Sequence, residues 1–223
     1  MGSWFGQVVD LIGGDPWIAT TVAFAAAVIE AVAILGMLIP GTYILMAVAG
    51  AVAMAGLPIT PILIVSVLGA VIGDGISFWV GYRYRDRLAG MWPFRSRPEL
   101  LATAHRFFAR YGAMSVALCR FIPVLRSTVP LVAGMAGMPK GRFLLANIAS
   151  ALVWAPAHVL PAQFAGLSIE RLREGDWRDA ALLGLIVLGA AGALFALHRL
   201  AASANVERWF SFRRRPSGEK QRP

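Results

Sequence analysis

The sequence predicts an all-α integral membrane protein with two re-entrant helical hairpins in inverted repeats, about three spanning helices and short interfacial helices. Hydrophobic residues form 58% of the 223-residue chain, and the mean hydropathy of +0.66 is too high for an ordinary soluble fold. Basic residues are absent before Arg83, dense from there to Arg110, and frequent again after Arg199. This distribution follows the positive-inside rule. Prolines also break several apolar stretches, as in re-entrant segments.

The charge of the chain does not indicate a nucleic-acid partner, although the formal net charge is +9. The basic residues are concentrated in the loop 83–110 and the tail 201–223, without a module of aromatic residues for stacking on bases. We expect both segments on the cytoplasmic side of the membrane. Cys119 is the single cysteine, so no internal disulfide is expected. No basic n-region precedes the first apolar stretch, so a cleaved signal peptide is not expected either.

Residues 1–16 predict an N-terminal interfacial helix, because apolar side chains recur there at helical spacing over a stretch too short to span a bilayer. Asp15 and Pro16 are typical of the N-cap and first position of the helix that follows. The membrane domain is expected over residues 17–200. Residues 201–223 then form a basic cytoplasmic tail.

The membrane domain opens with a predicted re-entrant hairpin. Residues 17–38 are apolar except for Glu30, and the chain turns at Pro40-Gly41. The returning apolar stretch, residues 43–55, is too short for a crossing that needs about 20 residues. We therefore expect both arms to enter and leave the membrane on the same side.

Three later stretches are apolar and long enough to span: residues 62–82, 143–167 and 180–197. The first carries Asp74. The second carries Asn147 and His158 and is interrupted by Pro156 and Pro161. Between the spans, the spacing of apolar residues predicts a short helix along the inner surface over 98–111, and charged residues predict a loop over 168–179.

A second hairpin is predicted from Leu118 to Met138, where Arg120, Arg126, Pro123 and Pro130 interrupt an apolar run. A central arginine costs about 3 kcal/mol or more in hydrocarbon, and an internal proline removes a backbone donor. Both are tolerated mainly where a segment lines a polar cavity. A break at Pro123 lets the two arginines converge on one phosphate through charge-assisted hydrogen bonds.

A weak internal repeat relates residues 17–82 to residues 113–167. Each copy has a hairpin with a proline at its tip, a polar turn and a spanning segment. The two copies are expected to enter from opposite faces, as in transporters whose substrate sites lie where broken segments meet. The first copy supplies an acid and the second supplies arginines.

Glu30 and the two arginines are the main candidate site residues. An ionised Glu30 is expensive in an apolar run unless it is paired, protonated or facing water. It is either a proton-coupling or gating carboxylate, or the structural partner of Arg120 or Arg126. Asp74 is expected to pair with a nearby arginine or to cap a hairpin end rather than to bind substrate. His158 has no recognisable metal-binding partners, and no metal or cofactor is expected. The secondary candidates are Thr42, Asp74, Asn147 and His158.

Several motifs of the membrane domain are specific in combination. They are Glu30 with Pro40-Gly41, Gly73-Asp74 with Phe78-Trp79 and Gly81-Tyr82-Arg83, Phe107-Phe108 with Arg110 and Gly112, Arg120-Phe121-Ile122-Pro123 with Arg126, Ala133-Gly134 with Gly137-Met138, and residues 143–154. With these motifs the chain resembles the DedA family of bacterial inner-membrane proteins, also called the VTT or SNARE-associated domain. The resemblance covers roughly residues 23–161.

The resemblance implies re-entrant hairpins and a role in moving lipids across the bacterial inner membrane. Family members translocate undecaprenyl phosphate or phospholipids such as phosphatidylethanolamine, and many are linked to the proton gradient. By position, Glu30, Arg120 and Arg126 match residues that the family requires. Thr42 is a departure, because many members have an acid directly after Pro-Gly. This departure favours proton coupling through Glu30 alone, or passive scrambling.

The sequence thus predicts a transporter rather than an enzyme, a flippase or scramblase whose partners are the membrane and a lipid phosphate head group. One alternative is a membrane-embedded lipid-phosphate enzyme, for which the apolar segments offer no nucleophile with a base. The other is a small-cation or proton-coupled transporter, for which an arginine pair would be an unusual choice. The sequence leaves homodimerisation open.

Overall fold

The computed structural model describes residues 14–33, 35–90, 95–96 and 98–211. The predicted interfacial helix over 1–16 lies almost entirely outside these residues, as does the end of the predicted tail. The described chain is helical and contains no β-strand, which confirms the all-α prediction. Its helices are α1 (Pro16–Ala31), α2 (Gly41–Met54), α3 (Thr60–Tyr84), α4 (Pro98–Tyr111), α5 (Ala113–Cys119), α6 (Pro123–Arg126), α7 (Thr128–Met135), α8 (Lys140–Arg173) and α9 (Trp177–Ser211).

The first hairpin consists of α1 and α2, joined by a short 3-10 turn at Leu35–Met37. Asp15 caps α1 as predicted, since its side chain accepts a hydrogen bond of 2.8 Å from the amide of Trp17. The arms have 16 and 14 residues, so each is about 20 to 25 Å long at 1.5 Å per residue. Each arm is shorter than the hydrocarbon core, which is about 30 Å thick.

Two of the described helices, α3 and α8, are long and apolar enough to cross a membrane. The prediction that prolines interrupt the second span was wrong, because α8 continues through Pro156 and Pro161. Buried Ala155, Val159 and Ala162 pack into the core along this stretch, and such packing lets membrane helices accommodate proline.

The connection after α8 is also shorter than the predicted loop over 168–179, since α8 ends at Arg173 and α9 begins at Trp177. Helix α9 contains the predicted span 180–197 and extends to Ser211. The first half of the predicted tail is therefore helical.

The second hairpin is broken, as predicted, into the short helices α5, α6 and α7. Pro123 occupies the first position of α6, where its missing amide hydrogen is not needed. The helix is interrupted between Cys119 and Pro123, where Ile122 is extended, and again at Ser127, although the backbone of Ser127 keeps right-handed helical angles. Arg120 lies in the first break and Arg126 ends the four-residue helix α6.

The two hairpins end in the same turn, Met54-Ala-Gly-Leu-Pro58 in the first copy and Met135-Ala-Gly-Met-Pro139 in the second. In both turns the glycine adopts a positive φ, 68° at Gly56 and 73° at Gly137. The residue after each glycine donates its amide to a carbonyl five residues earlier, at 3.0 Å in both cases. This geometry is a glycine-terminated Schellman turn followed by a proline, and it aligns the two copies at this turn.

The long helices of the two copies run antiparallel. Phe78 of α3 stacks on Phe143 of α8 with ring centroids 4.1 Å apart, while Asn147, further along α8, donates to the carbonyl of the earlier Val71 at 3.0 Å. Because α3 and α8 are equivalent elements of the repeat, the copies run in opposite directions. Each hairpin also packs its returning arm on the other copy's long helix, α2 on α8 and α7 on α3.

Candidate functional site

The first ion pair joins Arg126 to Glu30. Arg126 Nη1 donates to Glu30 Oε1 at 2.6 Å, and the two side chains are 7% and 11% exposed. Glu30 lies in the last turn of α1, and the tip of the hairpin folds directly against it. A Cβ on Gly41 would come within 2.9 Å of the Cβ of Glu30. Glycine at this tip therefore allows the start of α2 to approach the carboxylate.

Thr42 completes this pair from the first turn of α2. Its hydroxyl donates to Glu30 Oε1 at 2.5 Å and accepts from Arg126 Nη1 at 3.2 Å. The hydroxyl thus bridges the two charges and fixes their relative position. Thr42 therefore contacts both Glu30 and Arg126.

The second ion pair joins Arg120 to Asp74 of α3. Arg120 Nη2 donates to Asp74 Oδ2 at 2.5 Å, and the two side chains are only 1% and 5% exposed. The same nitrogen donates to Asn147 Oδ1 at 2.5 Å, and Nε donates to Ser150 Oγ at 3.1 Å. Arg120 is therefore held by both long helices, with more neutral partners than Arg126 has.

One indole connects the two pairs. Trp154, from the middle of α8, is fully buried, and its ring centroid lies 4.2 Å from Arg126 Cζ and 5.9 Å from Arg120 Cζ. A guanidinium at the first distance is stacked on the aromatic ring. The cluster therefore contains two cations, two carboxylates and one aromatic ring, and its formal charge is zero.

Six buried side-chain atoms of the described residues lack a hydrogen-bond partner, and all belong to this cluster. They are Glu30 Oε2, Asp74 Oδ1, Arg120 Nη1, Arg126 Nε, Arg126 Nη2 and Trp154 Nε1. Leaving a buried polar atom unpaired costs about 1–3 kcal/mol. Concentration of such atoms in one place indicates a site kept polar for a purpose other than stability.

The structure brings the main sequence candidates into one cluster, with Thr42 and Asp74 as direct partners and Asn147 as a ligand of Arg120. His158 lies at its edge: its Nδ1 is 2.9 Å from the carbonyl oxygen of Trp154, and its ring packs on the indole at 5.1 Å. The described residues hold no group of three potential metal ligands.

Sequence reasoning missed Ser150 and Trp154 as site residues. Ser150 follows Asn147 by three residues and Trp154 follows Ser150 by four, so all three lie on the same face of α8. That spacing relative to a polar residue in an apolar helix was the available signal. A tryptophan in such a helix is otherwise typical of packing.

These features define a helical membrane protein with two antiparallel copies and a buried arginine–carboxylate cluster between them. The sequence model of the VTT domain matches residues 39–164, and the chain belongs to this family, the DedA family.

Similar proteins carry membrane-protein names. The chain is 31% identical to the inner membrane protein YabI of Escherichia coli K12, over 75% of this chain and 67% of that protein. It is 33% identical to an uncharacterized membrane protein of Mycobacterium tuberculosis H37Rv, over 74% of this chain and 78% of that protein. An uncharacterized membrane protein of Synechocystis is 35% identical over 62% of this chain and 66% of its own length. No solved structure matches the chain.

Proposed function

We propose that this protein is a lipid translocase that moves a phosphate-bearing lipid, undecaprenyl phosphate or a phospholipid such as phosphatidylethanolamine, across the bacterial inner membrane. The observation that carries the proposal is the set of unpartnered guanidinium donors. Arg120 Nη1 and Arg126 Nε and Nη2 are buried without acceptors. A phosphate supplies oxygens that accept such donors in charge-assisted bonds.

The phosphate competes with Glu30 for Arg126. A buried arginine without an anion is destabilising by several kcal/mol, so Arg126 remains bound to a carboxylate or to a phosphate throughout. When the phosphate replaces Glu30, the carboxylate keeps only the hydroxyl of Thr42 and is neutralised by a proton. This exchange links lipid binding to proton uptake through Glu30 alone.

The two ion pairs have different roles in this proposal. Arg120 has three side-chain partners that hold it, whereas Arg126 contacts two hydrogen-bonding side chains at the tip of one hairpin. The pair Glu30–Arg126 is therefore the exchangeable one. Arg120 remains in place and presents Nη1 to the phosphate.

The hairpins provide the route for the head group. The first hairpin has arms of 16 and 14 residues, and the helices of the second have 7, 4 and 8 residues. These lengths are too short to span, so we place both hairpins as re-entrant segments that meet within the membrane. The head group passes along the polar cluster between them while the acyl or isoprenoid chains stay in the bilayer. The positive-inside rule places the loop 83–110 and the C-terminal tail in the cytoplasm.

The test is a flipping assay in liposomes that contain purified protein and either a head-group-labelled phospholipid or undecaprenyl phosphate. We expect Arg126→Gln to slow flipping at least tenfold, because two or more charge-assisted hydrogen bonds of about 1.5–3 kcal/mol are lost. The matched control is Arg173→Gln, whose side chain is 65% exposed, and it should stay within about twofold of wild type.

Arg126→Lys keeps the positive charge beside Glu30 but removes the planar set of donors, so it should fold and flip at an intermediate rate. Equal rates for wild type and Arg126→Gln with every lipid would contradict the proposal. Release of inorganic phosphate from the lipid would instead support the enzyme alternative.

A further inference from the structure

We propose that Trp154 is a ligand of the transported phosphate, with its indole N–H donating a hydrogen bond to a phosphate oxygen beside Arg126. The inference rests on the proposed lipid-phosphate translocation and adds a specific donor to its site. Trp154 is neutral, so this role in binding would not be found by searching for charged residues.

Trp154 is buried with no exposed surface, and its indole N–H has no hydrogen-bond partner among the described residues. A buried tryptophan ordinarily finds an acceptor for its N–H, because an unpaired donor is unfavourable in the interior. A residue needed only to fill space between α2 and α8 gains nothing from this N–H.

Both guanidinium groups lie beside the ring of Trp154, with Arg126 Cζ 4.2 Å and Arg120 Cζ 5.9 Å from its centroid. The three side chains together carry four buried donors without acceptors among the described residues, namely Arg120 Nη1, Arg126 Nε, Arg126 Nη2 and Trp154 Nε1. A phosphate monoester carries three terminal oxygen acceptors, one more than a carboxylate, so it accepts from several of these donors together.

The orientation of the Trp154 indole is restricted by its neighbours. The ring of His158 packs against the indole on one side at 5.1 Å, and the guanidinium of Arg126 contacts its face. Contacts of this kind restrict the rotamer of the tryptophan. The indole N–H is therefore held in a fixed direction before the ligand arrives, which lowers the entropic cost of binding.

The experiment measures binding of dihexanoyl phosphatidic acid, a soluble lipid phosphate, to the full-length protein in detergent micelles, with dihexanoyl glycerol as the ligand lacking phosphate. Trp154→Phe removes the N–H, and incorporation of benzothienylalanine at position 154 removes it while preserving ring size. We expect both to weaken binding about tenfold, the effect of one hydrogen bond to a charged acceptor. Trp79→Phe, at an exposed tryptophan of α3, is the matched control and should leave affinity unchanged.

Nuclear magnetic resonance of ¹⁵N-indole groups gives a second readout that a packing role would not move. One indole N–H signal, assigned by its absence in Trp154→Phe, should shift downfield on addition of the phosphate ligand only. Two results together would overturn this inference: the benzothienyl variant binds the phosphate ligand like wild type, and the indole signal of Trp154 in wild type does not shift. The proposed function would still stand if wild type binds the phosphate ligand and Arg126→Gln does not. If wild type shows no preference for the phosphate ligand, both are overturned.

Discussion

At the scale of single residues, the two buried ion pairs differ in how completely the protein satisfies them. Arg120 donates through two nitrogens, Nη2 to Asp74 and Asn147 and Nε to Ser150, whereas Arg126 donates to Glu30 and Thr42 through Nη1 alone. Removing one member of a buried pair leaves an uncompensated charge, but replacing both members by apolar residues is often neutral. The fixed pair can therefore be tested apart from the exchangeable one.

Asp74→Asn should lower the free energy of unfolding by about 3 kcal/mol, because Arg120 then remains charged and buried without its anion. The double variant Asp74→Leu with Arg120→Met should recover most of this loss, while its flipping should be at least tenfold slower than that of wild type because the phosphate loses a charged donor. Unfolding in mixed micelles titrated with sodium dodecyl sulfate measures the first quantity, and the liposome assay measures the second. A double variant as unstable as Asp74→Asn would show that the pair is not the source of the loss.

The charged residues of this cluster could be found from sequence because an ionised side chain stands out in an apolar stretch. Their pairing could not, since Glu30 had Arg120 and Arg126 as equivalent candidates until the breaks at the second hairpin were known. The break after Cys119 directs Arg120 to α3, and the helix begun by Pro123 carries Arg126 to the first hairpin. Such directions depend on backbone geometry that residue type does not specify.

At the scale of helices, the sequence predicted best where a local signal begins or ends the element. The helix over 98–111 was predicted with the bounds that the structure shows, because its apolar residues follow a clear helical period. The loop over 168–179 was wrong because charge alone was taken to end α8. Instead, α8 continues to Arg173. Its exposed last turn carries ion pairs of 3.4 Å between Arg171 and Glu174 and of 3.5 Å between Arg173 and Glu170, at a spacing that brings side chains together on a helix.

The crossing of α3 with α7 depends on glycine at the contact. A Cβ on Gly81 would overlap the carbonyl oxygen of Leu131, and a Cβ on Gly134 would overlap that of Phe78. The absence of these side chains lets the backbones approach closely, as in small-residue contacts of membrane helices. The equivalent contact of the other copy lies between Gly50 and Ala162.

Gly81→Ala should therefore lower the free energy of unfolding by about 1–3 kcal/mol, because the added methyl group forces the helices apart. The control is Gly184→Ala in α9, where an added Cβ meets no atom within 4 Å. Alanine there should stabilise by up to about 1 kcal/mol through its higher helix propensity. The same micelle titration measures both changes, and effects of equal sign at the two positions would contradict the close-contact explanation.

At the scale of the whole molecule, the internal repeat was visible in the sequence, but the exchange of arms between the copies was not. Hydropathy indicates that a hairpin precedes each span, yet it does not say which span the hairpin packs on. In the structure α2 packs on α8 and α7 packs on α3. The arrangement places Glu30 and Asp74 of the first copy against the two arginines of the second copy. Neither copy therefore contains a complete site.

The antiparallel arrangement also determines which ends of the long helices share a face of the membrane. Lys140 at the start of α8 lies near Tyr82 at the end of α3, with Nζ 5.4 Å from the ring centroid. The opposite ends, Thr60 of α3 and Arg173 of α8, therefore lie towards the other face, and α8 extends further because it has 34 residues against 25. We expect the first face to be the cytoplasmic one under the positive-inside rule, because the basic loop begins there.

Single cysteines in a Cys119→Ala background test this orientation in spheroplasts with a membrane-impermeant maleimide. Thr60→Cys and Glu174→Cys should be labelled from outside, and Ser96→Cys only after permeabilisation; all three positions are exposed. The native thiol, which is 1% exposed, should remain unlabelled in folded wild type and serves as the control for accessibility. Labelling of positions 60 and 174 from different sides of the membrane would contradict antiparallel spans. If instead position 96 is labelled from outside and positions 60 and 174 only after permeabilisation, the inverted repeat would stand and the cytoplasmic placement of the basic loop would be wrong.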